Sequence, residues 1–277
     1  ALVGPAAGDL LLAYPPVQAS DAAALAQANR HARAAAVVDE LAQLAPLAAA
    51  ARAAGTRVPV VIDVDMSWRP LGGLHVGFRR SPLRAAAAVV ALARAVAAEP
   101  ALAFDGVMGY EAQIAGVPDA APFAAWQNPL KRALKRGSRP DVARTRAAVV
   151  AALAAAGAPP RIVNGGGTGS ADWSSRDAAL TEITVGSGFL AGHLFDHYAG
   201  LALAPALFFA LQATRRPAAG IRQASIRPAA PVLDRPHERA GRTRRAARRD
   251  AALALPDPVA HRGRGGALRR RGRAVHR

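Results

Sequence analysis

Short, nearly unbroken apolar runs alternate with alanine-rich segments along most of this chain. The runs are LLLAY (10–14), AAAVVD (34–39), VPVVIDVD (58–65), FDGVMGY (104–110), RIVNGG (161–166) and TEITVG (181–186). Between them lie DAAALAQANRHA, ELAQLAPLAAAARAAG, SPLRAAAAVVALARAVA, a stretch at 140–156 and WSSRDAAL, the third of these preceded by the loop MSWRPLGGLHVGFRR. Strands that are apolar on both faces and separated by helices predict a parallel sheet covered on both sides. Six such βα units make the expected class α/β, an incomplete (β/α)8 TIM barrel over residues 1–200. The text after Leu201, LALAPALFFALQATRRP, predicts the start of a C-terminal β-domain at 201–219. Punctuation fits: Ser20 and Asp21 stand as N-cap residues, Ser81 with Pro82 as a helix opening, and Gly55 and Gly157 as helix stops.

In barrels of this kind chemistry gathers at the C-terminal ends of the strands. Tyr14, Asp39, Asp63, Asp65, Tyr110, Glu111 and the loops at 164–170 and 186–188 all fall there. Asp63 and Asp65 alternate along one strand, so they face opposite sides and do not form an acid and base pair.

Charge changes the picture only late in the chain. The formal net charge is +17 in 277 residues. Residues 220–277 carry 16 Arg, no Lys and 4 acids, whereas residues 1–219 carry 20 basic and 15 acidic residues. That Arg-rich tail has no aromatic residue and no sustained period, so disorder is expected. Two readings of it stand: an arm for phosphate backbones, with salt-dependent binding, or an out-of-frame translation of a GC-rich gene. The frame error is preferred, and nucleic acid is not the expected partner. The absence of cysteine removes disulfides, thiolate nucleophiles and Cys-based metal sites. No stretch reaches membrane-spanning length, and a cytoplasmic protein is expected. Beginning at Ala1 directly before a strand-like run, the chain reads as a fragment.

The densest chemical signal is RIVNGGGTGS at 161–170, an apolar run that ends in a glycine-rich turn. Such a turn lets backbone N–H groups converge on an anion unobstructed by side chains. A second turn, VGSGF at 185–189, follows the next apolar run, and two turns at neighbouring strand ends suit one phosphorylated cofactor. The competing reading is of two tight turns and nothing more. The dinucleotide fingerprint fails, since Ser170 stands where its third glycine belongs, and a P-loop would need a lysine where Ser170 and Ala171 stand.

Taken together, LLLAYP, VIDVDMSWRPLGGLHVGFRRSPL, FDGVMGYEAQIAGV, VNGGGTGS and ITVGSGFLAGHLFDHY resemble the pyridoxal-phosphate enzymes of the alanine racemase-like, fold type III class. The resemblance is to the D-threonine aldolase and D-serine dehydratase branch, also called amino acid deaminase/aldolase, and covers about residues 8–218 in order. It implies an enzyme acting on D-β-hydroxy amino acids, with pyridoxal 5'-phosphate as cofactor and, in complete members, a divalent metal. It implies a homodimer and a small D-amino acid substrate. Gly166, Gly167, Thr168 and Gly169, with Gly186, Ser187 and Gly188, would hold the cofactor phosphate, and Tyr110 would sit in the cofactor pocket. His75, in HVGF, stands where the family commonly places an Arg against the cofactor's phenolic oxygen; Arg69 is the alternative.

The sequence departs from that family in two ways. The family's Schiff-base lysine lies at the end of the first barrel strand, a segment this sequence does not contain. Lys131 and Lys135 occur instead in NPLKRALKRGSR, at helical spacing among arginines, and read as a solvated basic face. No catalytic residue is therefore assigned, and little or no turnover is expected. The family's metal ligands, a His beside a Cys or Asp, have no counterpart, so no metal site is assigned. His193 and His197 with Asp196 form an i, i+4 cluster with the right atoms for zinc, but a polar loop beside the cofactor is the preferred reading. An amino-acid racemase of the same fold and a non-catalytic pyridoxal-phosphate or nucleic-acid binder remain as alternatives.

Overall fold

The computed structural model describes residues 8–71, 74–208, 213–218 and 221–224. Six strands form one parallel sheet whose spatial order is their order in the chain. They are β1 (Asp9–Leu12), β2 (Arg33–Val38), β3 (Val58–Asp63), β4 (Leu102–Gly109), β5 (Ile162–Gly165) and β6 (Glu182–Ile183). The six predicted strands are present, and sequential parallel neighbours are the topology of a barrel wall. The fold is that of an incomplete TIM barrel.

Alternation within the strands sorts the core into two layers. Ala35, Val37, Val61, Met108 and Ile162, with Leu11 and Ala13, pack together on one face. Val38, Val58, Val60, Ile62, Leu102, Val107 and Val163 face the helices and join Leu47, Ala51, Val89, Leu92, Val96, Val149 and Leu153. Those helices are α1 (Ala19–Ala28), α2 (Leu44–Ala54), α3 (Ala86–Ala98) and α5 (Asn128–Ala155), with short turns α4 (Ala112–Ala115), α6 (Ala171–Ser174) and α7 (Gly186–Leu190). Alanine-rich helices approach the sheet closely, so modest side chains suffice to fill the layer.

At Val60/Val61 the register between β3 and β4 shifts, and Asp105 is the extra residue. Its carboxylate faces Arg161 at 2.9 Å and also takes a bond from Arg33, tying β2, β4 and the start of β5 together below the sheet.

Several local expectations need correction. Helix α1 starts at Ala19 after an uncapped Gln18, so Ser20 and Asp21 lie inside its first turn. Ser81 does not open a helix: its hydroxyl bonds the Asp63 carbonyl and accepts the Leu83 amide, a turn that delays α3 until Ala86. The helix expected at 140–156 begins at Asn128 and runs through Pro140, which removes one intrahelical bond and crowds the preceding turn without ending the helix. WSSRDAAL is helical only to Ser174, because Asp177 turns the chain by accepting the Ala179 amide. Gly55 ends α2 in the left-handed region, and Gly157 follows α5 there too, as expected.

Described by itself, a second unit contains the antiparallel hairpin of β7 (Ala213–Ala218) and β8 (Ile221–Ala224). Residues 201–208 carry no strand. Of the segment 220–277, Ile221–Ala224 are strand rather than disordered tail because they pair with Ala213–Ala218; the readings of 225–277 lie outside the described residues.

Candidate functional site

The two glycine turns meet. Strands β5 and β6 are hydrogen-bonded neighbours, so the loops leaving their C-terminal ends lie side by side, and a Cβ on Gly188 would sit 3.3 Å from the Thr168 methyl. Gly166, at φ +79, has a conformation that side chains resist, and a Cβ there would meet Ile183 at 2.7 Å. Gly167 packs so close to Ala115 and the Tyr110 ring that a Cβ would come within 2.7 and 2.9 Å of them.

These turns divide their backbone donors. The Gly166 amide donates to Glu111 Oε2 and the Gly167 amide to Ser170 Oγ, both at 3.1 Å and both buried. The half-buried Thr168 and Gly169 amides open a 3-10 turn at Thr168–Ser170 and have no intrahelical acceptor there. Gly186 and Ser187 are exposed, and nothing lies within 4 Å of a Cβ on Gly186. Thus the first two glycines shape the loop, while the amides of Thr168, Gly169, Gly186 and Ser187 have no acceptor among the described residues.

Glu111 is the fully buried anchor beneath the loop. It accepts from Ser174 Oγ at 2.6 Å, Ser170 Oγ at 3.2 Å, the Gly166 amide and Arg146, all within one site. Arg146 bonds Glu111 at 3.1 Å, the Gly109 carbonyl at 3.2 Å and Asp177. The three acceptors satisfy both terminal nitrogens of this buried guanidinium, while its Nε has no partner among the described residues. Nothing in the spacing of MGYEAQ pointed to this role; the signal was a charged residue directly after an apolar strand.

Tyr110 links the loop to the strand ends on its other side. Its ring abuts Gly167, and the Arg80 guanidinium lies 5.3 Å from its centroid and 5.3 Å from that of Tyr14. Arg80 Nε is 3.5 Å from Asp63 Oδ2, while Asp63 Oδ1 is buried without a partner among the described residues. Burial, opposed by Arg80 and reinforced by Asp39, pushes the Asp63 carboxyl up to about 6. Burial followed by the Glu111 charge raises the Tyr110 phenol.

The other sequence-derived candidates have contacts of their own. His75 lies beside the Trp68–Val76 bridge, with Nε2 buried and unpartnered among the described residues. Arg69 is committed to Asp65 at 2.8 Å, a carboxylate that also holds Ser67. The guanidinium over Tyr110 belongs to Arg80. Sequence reading missed it because the long loop after β3 folds back before Ser81.

The solvated basic face predicted for Lys131 and Lys135 is wrong for Lys135. It is buried, pairs with Asp119 at 3.2 Å and lies 4.7 Å from the Tyr198 ring centroid. Burial lowers its ammonium, although Asp119 opposes the shift. The i, i+4 logic for His193 and His197 also fails: the segment is a 3-10 helix, in which i and i+3 share a face and i+4 is turned about 120° away. His193 bonds Asp196 at 2.9 Å, and His197 stands edge-on to Phe123. Among the described residues, no group of three or more His, Asp or Glu side chains gathers as metal ligands, and no helix is long and apolar enough to cross a membrane.

A family model for the N-terminal domain of alanine racemase matches residues 4–190. The 3-hydroxy-D-aspartate aldolase of Paracoccus denitrificans is 31% identical over 150 residues, which cover 54% of this chain and 33% of that protein. The crystal structure of D-threonine aldolase from Filomicrobium marinum shares the fold with a TM-score of 0.60 at 22% identity, covering 76% of this chain and 52% of that one. The chain therefore spans 33% of the length of the curated relative it matches.

Proposed function

Since this chain belongs to the family of alanine racemase N-terminal domains, we propose that it forms the phosphate-holding part of a pyridoxal-phosphate enzyme acting on D-β-hydroxy amino acids. Aldolase or dehydratase chemistry is the favoured type, on the strength of the resemblance to the Paracoccus aldolase. One observation carries the reading: the ends of β4, β5 and β6 bring Tyr110 and both glycine turns to one place, with four loop amides that have no acceptor among the described residues.

The residues present fit the cofactor. Amides of Thr168, Gly169, Gly186 and Ser187 would bind the phosphate, and Gly166, Gly167 and Gly188 let the two loops approach closely enough to do so. Tyr110 would form a wall for the ring. Arg80, in place of His75 or Arg69, supplies the guanidinium nearest that wall and would bind an anionic oxygen on ligand or substrate. Asp63, with its raised pKa, would hold a proton on the acid side of about pH 6 beside that guanidinium. When bound, pyridoxal phosphate supplies an electron sink for bonds at the substrate α-carbon.

The two lysines of the sequence do not complete that chemistry. Lys135 is held by Asp119 beneath Tyr198, and Lys131 precedes it by about one turn on α5. Adding pyridoxal 5'-phosphate to the chain should give saturable binding, read from protein fluorescence, that competes with inorganic phosphate. Adding D-threonine as well should release no glycine or acetaldehyde. Failure to bind would overturn the cofactor reading, and turnover would overturn the assignment of the lysines.

A further inference from the structure

The segment after the second glycine turn folds back over the first. Ala191 takes a left-handed conformation, φ 44, and the chain passes through His193–His197 to place Tyr198 against Gly169. A Cβ on Gly169 would overlap both the Tyr198 ring and the Ala115 carbonyl oxygen. Tyr198 is only 4% exposed, although it lies on a connecting segment outside the sheet.

What fixes Tyr198 there is one carboxylate. Asp119 Oδ1 accepts the Ala199 amide at 3.0 Å and the Lys135 ammonium at 3.2 Å. The neighbouring Ala120 amide donates to the His197 carbonyl at 2.8 Å, and Arg132 Nε donates to the Asp119 carbonyl at 3.1 Å. The Lys135 ammonium also rests 4.7 Å from the Tyr198 ring centroid, within cation–π range. Asp119 and Lys135 are both largely removed from water, and burying two charges costs more than an apolar pair of similar size. A directional role accounts for the pair's geometry, since together the two groups hold one aromatic ring at one glycine.

We propose that the Lys135–Asp119 pair is a positioning element that latches Tyr198 over Gly169, closing the outer side of the glycine cradle so that it favours phosphorylated over unphosphorylated ligands. The proposal rests on reading the cradle as a phosphate site. Neither residue touches the phosphate; both act through Tyr198 and the Ala199 backbone.

The test uses the full chain and two probes that lack an aldehyde, pyridoxine 5'-phosphate and pyridoxine, so that no lysine reacts with them. Their affinities are compared by fluorescence for the wild type, the double variant Lys135→Met/Asp119→Asn and the conservative Lys135→Arg. The double variant leaves no buried charge alone, so the sheet should keep its fold. Amide hydrogen exchange is followed at Ala199 and Ala120, with Val107 and Val163 as sheet controls. The wild type should prefer the phosphorylated probe at least tenfold. In the double variant that preference should fall at least fivefold, with faster exchange at Ala199 and Ala120 and none at the controls, while Lys135→Arg retains both properties. A preference retained by the double variant overturns the latch, even if exchange quickens. A wild type that does not distinguish the probes overturns the phosphate reading itself, and the latch falls with it.

Discussion

Glu111 and Arg146 meet 3.1 Å apart, both essentially without contact with water. The pair joins the end of β4 to the middle of α5, and through Ser170, Ser174 and the Gly166 amide it sets the position of the first glycine turn. Removing one partner of a buried, hydrogen-bonded charge pair costs about 3–5 kcal/mol. Arg146 keeps Asp177 and the Gly109 carbonyl, so Glu111→Ala should fall near the lower end, about 3 kcal/mol. Urea unfolding checks this, and a loss under about 1 kcal/mol would show that the pair does not organise the loop.

Two glycines of the site should respond oppositely. An alanine at Gly167 would press on Ala115 and Tyr110, and overpacking of this kind costs about 1–3 kcal/mol. An alanine at Gly186 meets nothing within 4 Å, so Gly186→Ala should unfold at the wild-type denaturant concentration yet bind pyridoxine 5'-phosphate more weakly. Equal affinity in that variant would remove Gly186 from the phosphate site.

Asp105 makes stability fall in acid. Burial alone would raise its pKa, but the bonds from Arg161 and Arg33 outweigh burial and lower it. A carboxyl lowered in the folded state contributes stability that is complete above its unfolded value, near 3.8, and is lost as pH falls through the folded one. Asp105→Asn should therefore be less stable than the wild type at neutral pH, and by less than a fully buried pair would give, because Arg33 and Arg161 stay partly in water and keep Asp9. The difference should shrink in acid below pH 3.8. Thermal unfolding of both proteins across that range measures it.

Much of the fold was legible because β2, β3, β4 and β5 are buried, mostly apolar runs followed by polar or turn-forming residues. The glycine turns at 164–170 and 186–188 were legible for the same reason: glycines at a strand end reveal themselves without tertiary knowledge. Lys135 was not, because its burial depends on Asp119, which reaches it only after the loop from β4 folds over α5. Arg80 was hidden likewise, since only the fold of the loop between β3 and α3 places it between Tyr14 and Tyr110. The start of α5 was not legible because residues 128–139 are a basic stretch with few apolar residues to mark a buried face, and Pro140 lies inside the helix without ending it.

Asp63 carries the opposite pH sign from Asp105. Its carboxyl is raised from 3.8 to about 6 by burial, with Arg80 only partly offsetting it. A carboxyl raised in the folded state costs nothing below pH 3.8, where it is protonated whether folded or not. The cost accumulates as pH rises from there and is complete above about 6. At about 1.4 kcal/mol per unit the full effect is on the order of 3 kcal/mol. Asp63→Asn holds no charge there and keeps the side-chain size, so it should be more stable than the wild type above pH 6, with the two converging toward pH 4. The groups that face this carboxylate are Arg80 and Asp39, and Arg80→Met should raise the Asp63 value further by removing the cation that opposes burial. Melting temperatures measured between pH 4 and 7 for the three proteins decide it. A wild type as stable as Asp63→Asn at pH 7 would mean that the carboxylate is solvated and its pKa is not raised, and that the strand ends near Tyr110 hold no proton between about pH 4 and 6.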